Sequence, residues 1–91
     1  MINLHEAYFN IEFHGGKFDI WRLYGKCENH PRFADGDRIS PSPPISFNEQ
    51  DLTFKTSSGS EYKIVSFEEN KEKVIQSIKN CVKIGKYELV G

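Results

Sequence analysis

The stretch that most constrains the fold is residues 18–27, which are rich in aromatic and branched side chains. Such residues favour a β-strand, in which successive side chains point to opposite faces. Apolar groups fall on both faces: Trp21, Leu23 and Cys27 on one, and Ile20 and Tyr24, beside Arg22, on the other. A strand that is apolar on both faces is expected at the centre of a sheet. Gly25 predicts a bulge or a sharp bend in it.

Alternating patterns predict further short strands on both sides of this one. They cover residues 11–13, 45–47, 52–56 and 61–65. Gly15-Gly16 predicts a tight hairpin turn. Residues 2–9 fit either a short helix or a first strand, and residues 87–90 fit a final edge strand. The segment 41–44 cannot pair continuously, because its prolines lack an N–H donor.

One amphipathic helix is predicted near the C-terminal end. Its apolar stripe consists of Val74, Ile75, Ile78, Cys81 and Val82. Its start is either the capping box of Ser66 and Glu69 or a cap at Asn70, and Gly85 predicts its end. We therefore expect an α+β fold in a single domain, residues 1–91. About five strands form a small, strongly curved antiparallel sheet or a partly open β-barrel, and the helix covers one face.

Charge and composition exclude several functional classes. The chain has 91 residues with 12 basic and 13 acidic side chains, a net charge of -1. This balance argues against a dominant, sequence-independent nucleic-acid binder, so we do not expect a nucleic-acid partner. Five aromatic residues on a curved sheet are candidates for stacking single-stranded bases: Tyr8, Tyr24, Phe47, Phe54 and Tyr62. No apolar run is long enough to cross a membrane, and the N-terminus lacks a secretory pattern, so we expect a cytoplasmic protein.

The charge is uneven along the chain. Residues 1–70 carry a net charge of -4, whereas residues 71–91 carry a net charge of +3. The basic residues of the second part are Lys71, Lys73, Lys79, Lys83 and Lys86. They form either a solvated helix face or a docking stripe for an acidic partner, in which Lys71, Lys79, Lys83 and Lys86 are the candidate contacts.

The polar loop at residues 30–38 is the most informative candidate site. Its charged or imidazole side chains are His30, Arg32, Asp35, Asp37 and Arg38. In a structural interpretation, Phe33 fills the core, the arginines pair with the aspartates, and His30 bonds to backbone. In a functional interpretation, Arg32 and Arg38 form a fork for a carboxylate or phosphate, with His30 as a further donor.

The same region carries a resemblance. A Trp21-Arg22-Leu23-Tyr24-Gly25 strand followed by a His30-Pro31-Arg32-Phe33-Ala34-Asp35-Gly36 loop is similar to motifs shared by a set of small bacterial and phage-type proteins. The similarity covers roughly residues 21–64 and includes the later stretch 56–62. These proteins have no established activity. The resemblance therefore implies a shared scaffold and transfers no catalytic role.

Cys27 and His30 form a short motif of the kind found in metal-binding and catalytic sites. A Cys-x-x-His pair could supply two zinc ligands, but a structural zinc site needs two more. The pair could also act as a nucleophile and its base, although no orienting group or oxyanion site accompanies it. Cys27 and Cys81 could form a disulfide, but two buried thiols fit the composition better. We expect no metal and no cofactor.

These patterns predict a non-catalytic binding module. We expect a bacterial or phage accessory or inhibitor-type protein that acts through protein–protein contact. The alternative is a small-ligand protein that binds a nucleotide or another anion through His30, Arg32 and Arg38. An enzyme that uses Cys27 and His30 is the third hypothesis. The sequence leaves the oligomeric state open.

Overall fold

A computed structural model describes residues 1–14 and 18–90 of the chain. Over these residues the fold is α+β, with seven strands and one helix near the C-terminal end. The elements are β1 (Ile2–Glu12), β2 (Asp19–Glu28), β3 (Arg38–Ile39), β4 (Pro44–Asn48), β5 (Thr53–Thr56), β6 (Glu61–Ile64), α1 (Lys71–Ile84) and β7 (Glu88–Val90). The predicted count of about five strands was too low, because β3 has only two residues and shows no alternating pattern. β7 lies within residues 87–90, which fit a final edge strand in the sequence.

The strands form one mixed sheet that is not closed. The order is β3-β2-β1-β6-β5-β4, and β7 pairs with β2 beside β3. All neighbours are antiparallel except β1 and β6, which run parallel with Leu4 opposite Ile64. The expectation of an antiparallel sheet was therefore wrong at this junction. The parallel pairing joins two antiparallel halves, β3-β2-β1 and β6-β5-β4.

The first segment of the chain is a strand and not a helix. β1 pairs with β2 over most of its length, and the register shifts between His5 and Tyr8. Glu6 lies in this shift with a φ of 54°. The bulge turns the backbone of Ala7 toward the segment after β6, where Ala7 N–H donates to the carbonyl of Ser66 at 3.0 Å. The predicted Gly15-Gly16 turn lies outside the described residues.

The predicted faces of residues 18–27 are confirmed in β2 except at Ile20, which was expected on the face of Tyr24 but packs against the core. Leu23 and Cys27 are buried, and Trp21 is half-buried against the same core. Tyr24 lies on the other face, where its ring stacks on Tyr8 with centroids 5.6 Å apart. A Cβ at Gly25 would lie 2.7 Å from the side chain of Leu4. Gly25 therefore allows β1 to approach closely, and the bulge lies in β1 rather than in β2.

The helix follows its predicted stripe. Val74, Ile75, Ile78 and Cys81 are buried. Asn70 caps the start, where its side-chain oxygen accepts from the N–H of Lys73 at 3.1 Å. The end is Gly85, with a φ of 77°.

The alternative capping box does not form, because its two side chains bond to β1. Ser66 Oγ accepts from the N–H of Glu6 at 2.9 Å, and a carboxylate oxygen of Glu69 accepts from the N–H of Phe9 at 3.1 Å. Both bonds extend the contact between β1 and the chain that follows β6.

The two cysteines are buried free thiols. Burial raises the pKa of Cys81 to about 12. Among the described residues, α1 is too short and too polar to cross a membrane.

Shortening Ile78 should destabilise the protein strongly. Ile78 is 0% exposed at the centre of the helix stripe, so Ile78→Ala removes packed atoms and leaves a cavity. We expect a loss of about 2–5 kcal/mol in the free energy of unfolding, measured by urea denaturation. Ile84→Ala is the matched control, since Ile84 lies on the same helix and is 47% exposed. It should change stability by less than about 0.5 kcal/mol. Equal losses in the two variants would contradict the observed packing of α1.

Candidate functional site

The loop that follows β2 is held by its own two aspartates. Asp35 Oδ1 accepts from the N–H of Asn29 at 2.9 Å, and Asp37 Oδ2 accepts from the N–H of Ala34 at 3.1 Å. The base of the loop is closed by two backbone bonds, from Cys27 N–H to Asp37 and from Gly36 N–H to Cys27. The aspartates therefore stabilise the loop and do not pair with its arginines.

His30 is oriented by the same loop. The N–H of Arg32 donates to His30 Nδ1 at 3.0 Å, so the neutral imidazole carries its proton on Nε2. The ring packs against Phe33 with centroids 4.8 Å apart and lies 6.4 Å from the ring of Tyr62. Phe33 is 48% exposed and does not fill the core. The structural interpretation is thus right about His30 and wrong about Phe33.

A cleft of about 270 Å³ opens beside this loop. We call it the serine cleft. Its walls are residues 30–33 of the loop, residues 39–42 of the following segment, and Ser58 and Ser60 of the turn between β5 and β6. The buried side chain of Tyr62 forms its floor. The cleft therefore combines segments from both halves of the sheet.

The walls of the serine cleft are fixed by hydrogen bonds. Ser57 N–H donates to the carbonyl of Pro43 at 2.9 Å and ties the turn to the proline segment. Tyr87 hydroxyl donates to the carbonyl of Pro41 at 2.7 Å from the protein interior. Ser40 Oγ donates to the carbonyl of Leu23 at 2.6 Å. These contacts within the chain fix the segments that line the cleft.

The cleft presents hydrogen-bond donors and a positive charge. Arg32 lines it, and across residues 1–14 and 18–90 no carboxylate does so. The hydroxyls of Ser42 and Ser60 have no protein partner within those ranges. Tyr62 is 4% exposed, yet the described part of the chain holds no buried side-chain polar atom without a partner. No hydrogen bond of its hydroxyl occurs in that part of the chain, so the hydroxyl is not completely buried.

The titration of Tyr62 agrees with this placement. Burial raises the pKa of the Tyr62 hydroxyl, and the nearby Arg32 guanidinium lowers it. The net shift is upward, so the hydroxyl stays protonated at neutral pH and can donate. A site with a guanidinium, an imidazole N–H and several hydroxyls suits an anion.

The structure separates the two arginines that the sequence grouped. Arg38 and Ile39 are consecutive in β3, so their side chains point to opposite faces of the sheet. Ile39 lines the serine cleft. The Arg38 guanidinium lies 5.4 Å over the ring of Tyr8 on the outer face and donates to the Tyr8 hydroxyl. Arg32 and Arg38 therefore do not form one fork.

The lysines of the helix differ in their contacts. Lys79 forms an ion pair with Glu49, and the ammonium of Lys71 lies 6.0 Å from the centre of the Phe67 ring. Lys83 and Lys86 are exposed. The predicted stripe is thus partly engaged in contacts within the chain.

Cys27 and His30 bond to different groups. Cys27 Sγ donates to the carbonyl of Ala34 at 3.4 Å, whereas His30 accepts from Arg32. Within the described ranges, no group of three or more metal-ligating side chains occurs. Of the aromatic candidates for base stacking, Phe54 and Tyr62 are buried. Tyr8 and Tyr24 stack on each other on the outer face.

No protein-family model, curated protein or solved structure matches this chain. The resemblance to small bacterial and phage-type proteins stays a prediction.

The Cys27 thiol should react slowly in the folded protein. Burial, followed by the nearby Asp37 carboxylate, raises the pKa of Cys27, so the reactive thiolate is scarce at pH 8. We expect iodoacetamide to modify Cys27 at least about tenfold more slowly in the folded Cys81→Ser variant than in the same variant in guanidinium chloride. Mass spectrometry measures the rate. Rapid modification of the folded variant would instead favour a reactive Cys27 and the enzyme hypothesis.

Proposed function

We propose that this protein is a non-catalytic binding module that acts through contact with another protein. The serine cleft is the place of contact, and it takes an acidic group that projects from the partner. The observation that carries this proposal is that Arg32 and hydroxyl donors line one cleft, while the loop's own aspartates bond to backbone and do not line it. An acidic group would supply the charge that the cleft lacks.

The size of the cleft favours a projecting group over a complete small molecule. Pockets that enclose drug-sized ligands span about 300–1,000 Å³, and the serine cleft holds about 270 Å³. A cleft just below that range suits a small projecting group better than a complete drug-sized molecule. A side chain on a protein surface has this form, because the remainder of the partner stays outside the cleft.

Rigidity supports the same proposal. The loop and both other walls are fixed by hydrogen bonds within the chain. A preformed site loses less conformational entropy when it binds, so more of the contact energy appears as affinity. This suits a module that holds a partner and does not turn it over.

A free nucleotide is the second candidate ligand. The half-exposed ring of Phe33 lies on the rim of the cleft, where a base could stack while the phosphate enters. Thermal-shift screening with mono-, di- and cyclic nucleotides tests this function. A ligand at 100 times its dissociation constant adds about 2.7 kcal/mol to stability. A flat response over the whole panel would contradict nucleotide binding.

The accessory or inhibitor-type role belongs to this proposal as well. We place the protein in the cytoplasm of a bacterium or in a phage-infected cell, where affinity capture is the direct route to its partner.

Removing the Arg32 guanidinium should weaken partner binding. Hydrogen bonds to charged groups contribute about 1.5–3 kcal/mol, so Arg32→Ala should raise the dissociation constant roughly 10-fold to 100-fold. The partner is first identified by capture with the wild-type protein, and its affinity is then measured by calorimetry. Arg32 is exposed, so the variant should fold normally.

Arg38→Ala is the matched control for this experiment. It deletes the same charge from the same half of the sheet, but its guanidinium lies on the outer face against Tyr8. It should leave the affinity within about twofold, as expected of a surface change away from the contact. Loss of binding in Arg38→Ala with normal binding in Arg32→Ala would move the contact to the outer face and overturn the proposal.

A further inference from the structure

We infer that the acidic group received by the serine cleft is a phosphate monoester, carried by a phosphorylated side chain of the protein partner. This inference rests on the proposed function and makes the ligand chemistry specific. It follows from the directions from which the donors approach, the charge they supply and the space they surround.

The donors come from three separate segments. His30 and Arg32 belong to the loop after β2, Ser42 to the proline segment, and Ser60 to the turn before β6. The hydroxyl of Tyr62 adds a donor from the floor. A carboxylate offers two oxygens in one plane, and a single guanidinium can bond to both of them at once. A phosphate monoester offers three oxygens that point in different directions, and it can accept from several walls at once.

The state of each donor fits this role. His30 accepts at Nδ1 from its own loop, so its Nε2 carries a hydrogen that the neutral ring can donate. The hydroxyls of Ser42 and Ser60 are free of partners among the described residues. By contrast, Ser40 Oγ is engaged by Arg22 Nε at 2.5 Å and by Leu23. Ser58 Oγ bonds to Thr56 Oγ1 at 3.0 Å. Ser42 and Ser60 are therefore the serine hydroxyls that remain available to a ligand.

Within the cleft, the positive charge that could attract a phosphate is that of Arg32. A chain with a net charge of -1 has no general attraction for polyanions. In the cleft, however, Arg32 and several hydroxyl-bearing residues share the lining, and no carboxylate from the described residues does so. A phosphate carries about -1.5 to -2 charges at neutral pH, more than a glutamate or aspartate, and gains more from the same guanidinium.

The probes are inorganic phosphate, O-phosphoserine, glutamate and adenosine monophosphate, each titrated into the labelled full chain and followed by amide NMR. We expect inorganic phosphate and O-phosphoserine to shift the amides of residues 30–33 and 58–60. Glutamate should bind at least tenfold more weakly than O-phosphoserine. Equal or tighter binding of glutamate would overturn the inference in favour of a carboxylate. Lack of any response to phosphate or O-phosphoserine would also overturn it.

Variants place the binding in the cleft. Ser60→Ala should weaken O-phosphoserine binding about tenfold, because it removes a hydrogen bond to a charged group. Ser57→Ala is the matched control, since Ser57 is an exposed serine of the same turn and does not line the cleft. Arg32→Ala should abolish measurable binding. Phosphate binding that survives in Arg32→Ala and Ser60→Ala would lie elsewhere on the protein and contradict the inference.

Two further results separate this inference from the proposed function. If Arg32→Ala loses the protein partner but phosphatase treatment of that partner leaves its affinity unchanged, the protein contact stands and the phosphate inference fails. If the variants lose O-phosphoserine while Arg32→Ala still binds the partner normally, the proposed contact fails and the phosphate site stands without its protein source. Adenosine monophosphate that binds tenfold more tightly than O-phosphoserine would assign the site to a nucleotide and overturn the phosphorylated partner.

Discussion

The parallel pairing of β1 with β6 holds the two halves of this protein together. Leu4 carbonyl accepts from Val65 N–H at 2.9 Å, and the bonds of Ala7 with Ser66 and Glu68 continue the contact beyond the bulge. One half supplies the loop with His30 and Arg32, and the other supplies the turn with Ser60. Without this pairing the two walls of the serine cleft would not face each other. The site is therefore a product of the topology and of no single segment.

The loop gains its order from residues that the sequence grouped with the ligand contacts. Asp35 and Asp37 each accept a backbone N–H within the loop, in the manner that aspartate uses in tight turns. This removes two negative charges from competition for Arg32. It also fixes His30, whose Nδ1 is bonded to the same turn. Within this loop, Asp35 and Asp37 thus stabilise the backbone, whereas His30 and Arg32 line the cleft.

Local patterns predicted the elements well where packing repeats at short range. The faces of β2, the inward side chains Tyr62 and Ile64 and the stripe of α1 all follow from alternation or helical spacing. The pairing of β1 with β6 could not be predicted in this way, because it joins residues about 60 positions apart and leaves no local pattern. The shortest strand, β3, could not be predicted either, since two residues cannot establish an alternation.

Local patterns likewise predicted some residues of the candidate site and missed others. The loop was identified because charge and imidazole are concentrated in it. The separation of Arg32 from Arg38 depends on β3, whose alternation sends Arg38 to the face of Tyr8. Ser42 and Ser60 were missed, because serines in turns are common and gain meaning only when the fold brings them beside Arg32.

The outer edge of β2 is divided between two short strands. β3 covers Gly25 and Lys26, and β7 covers residues 19–21. In the interval between them the Ser40 hydroxyl, rather than another backbone, bonds to the carbonyl of Leu23. A strand with a long open edge invites another chain to add to it, which leads to aggregation. The edge of β2 is thus covered by β3, by the Ser40 hydroxyl and by β7. This cover leaves little free backbone on β2 to which a strand of another molecule could pair.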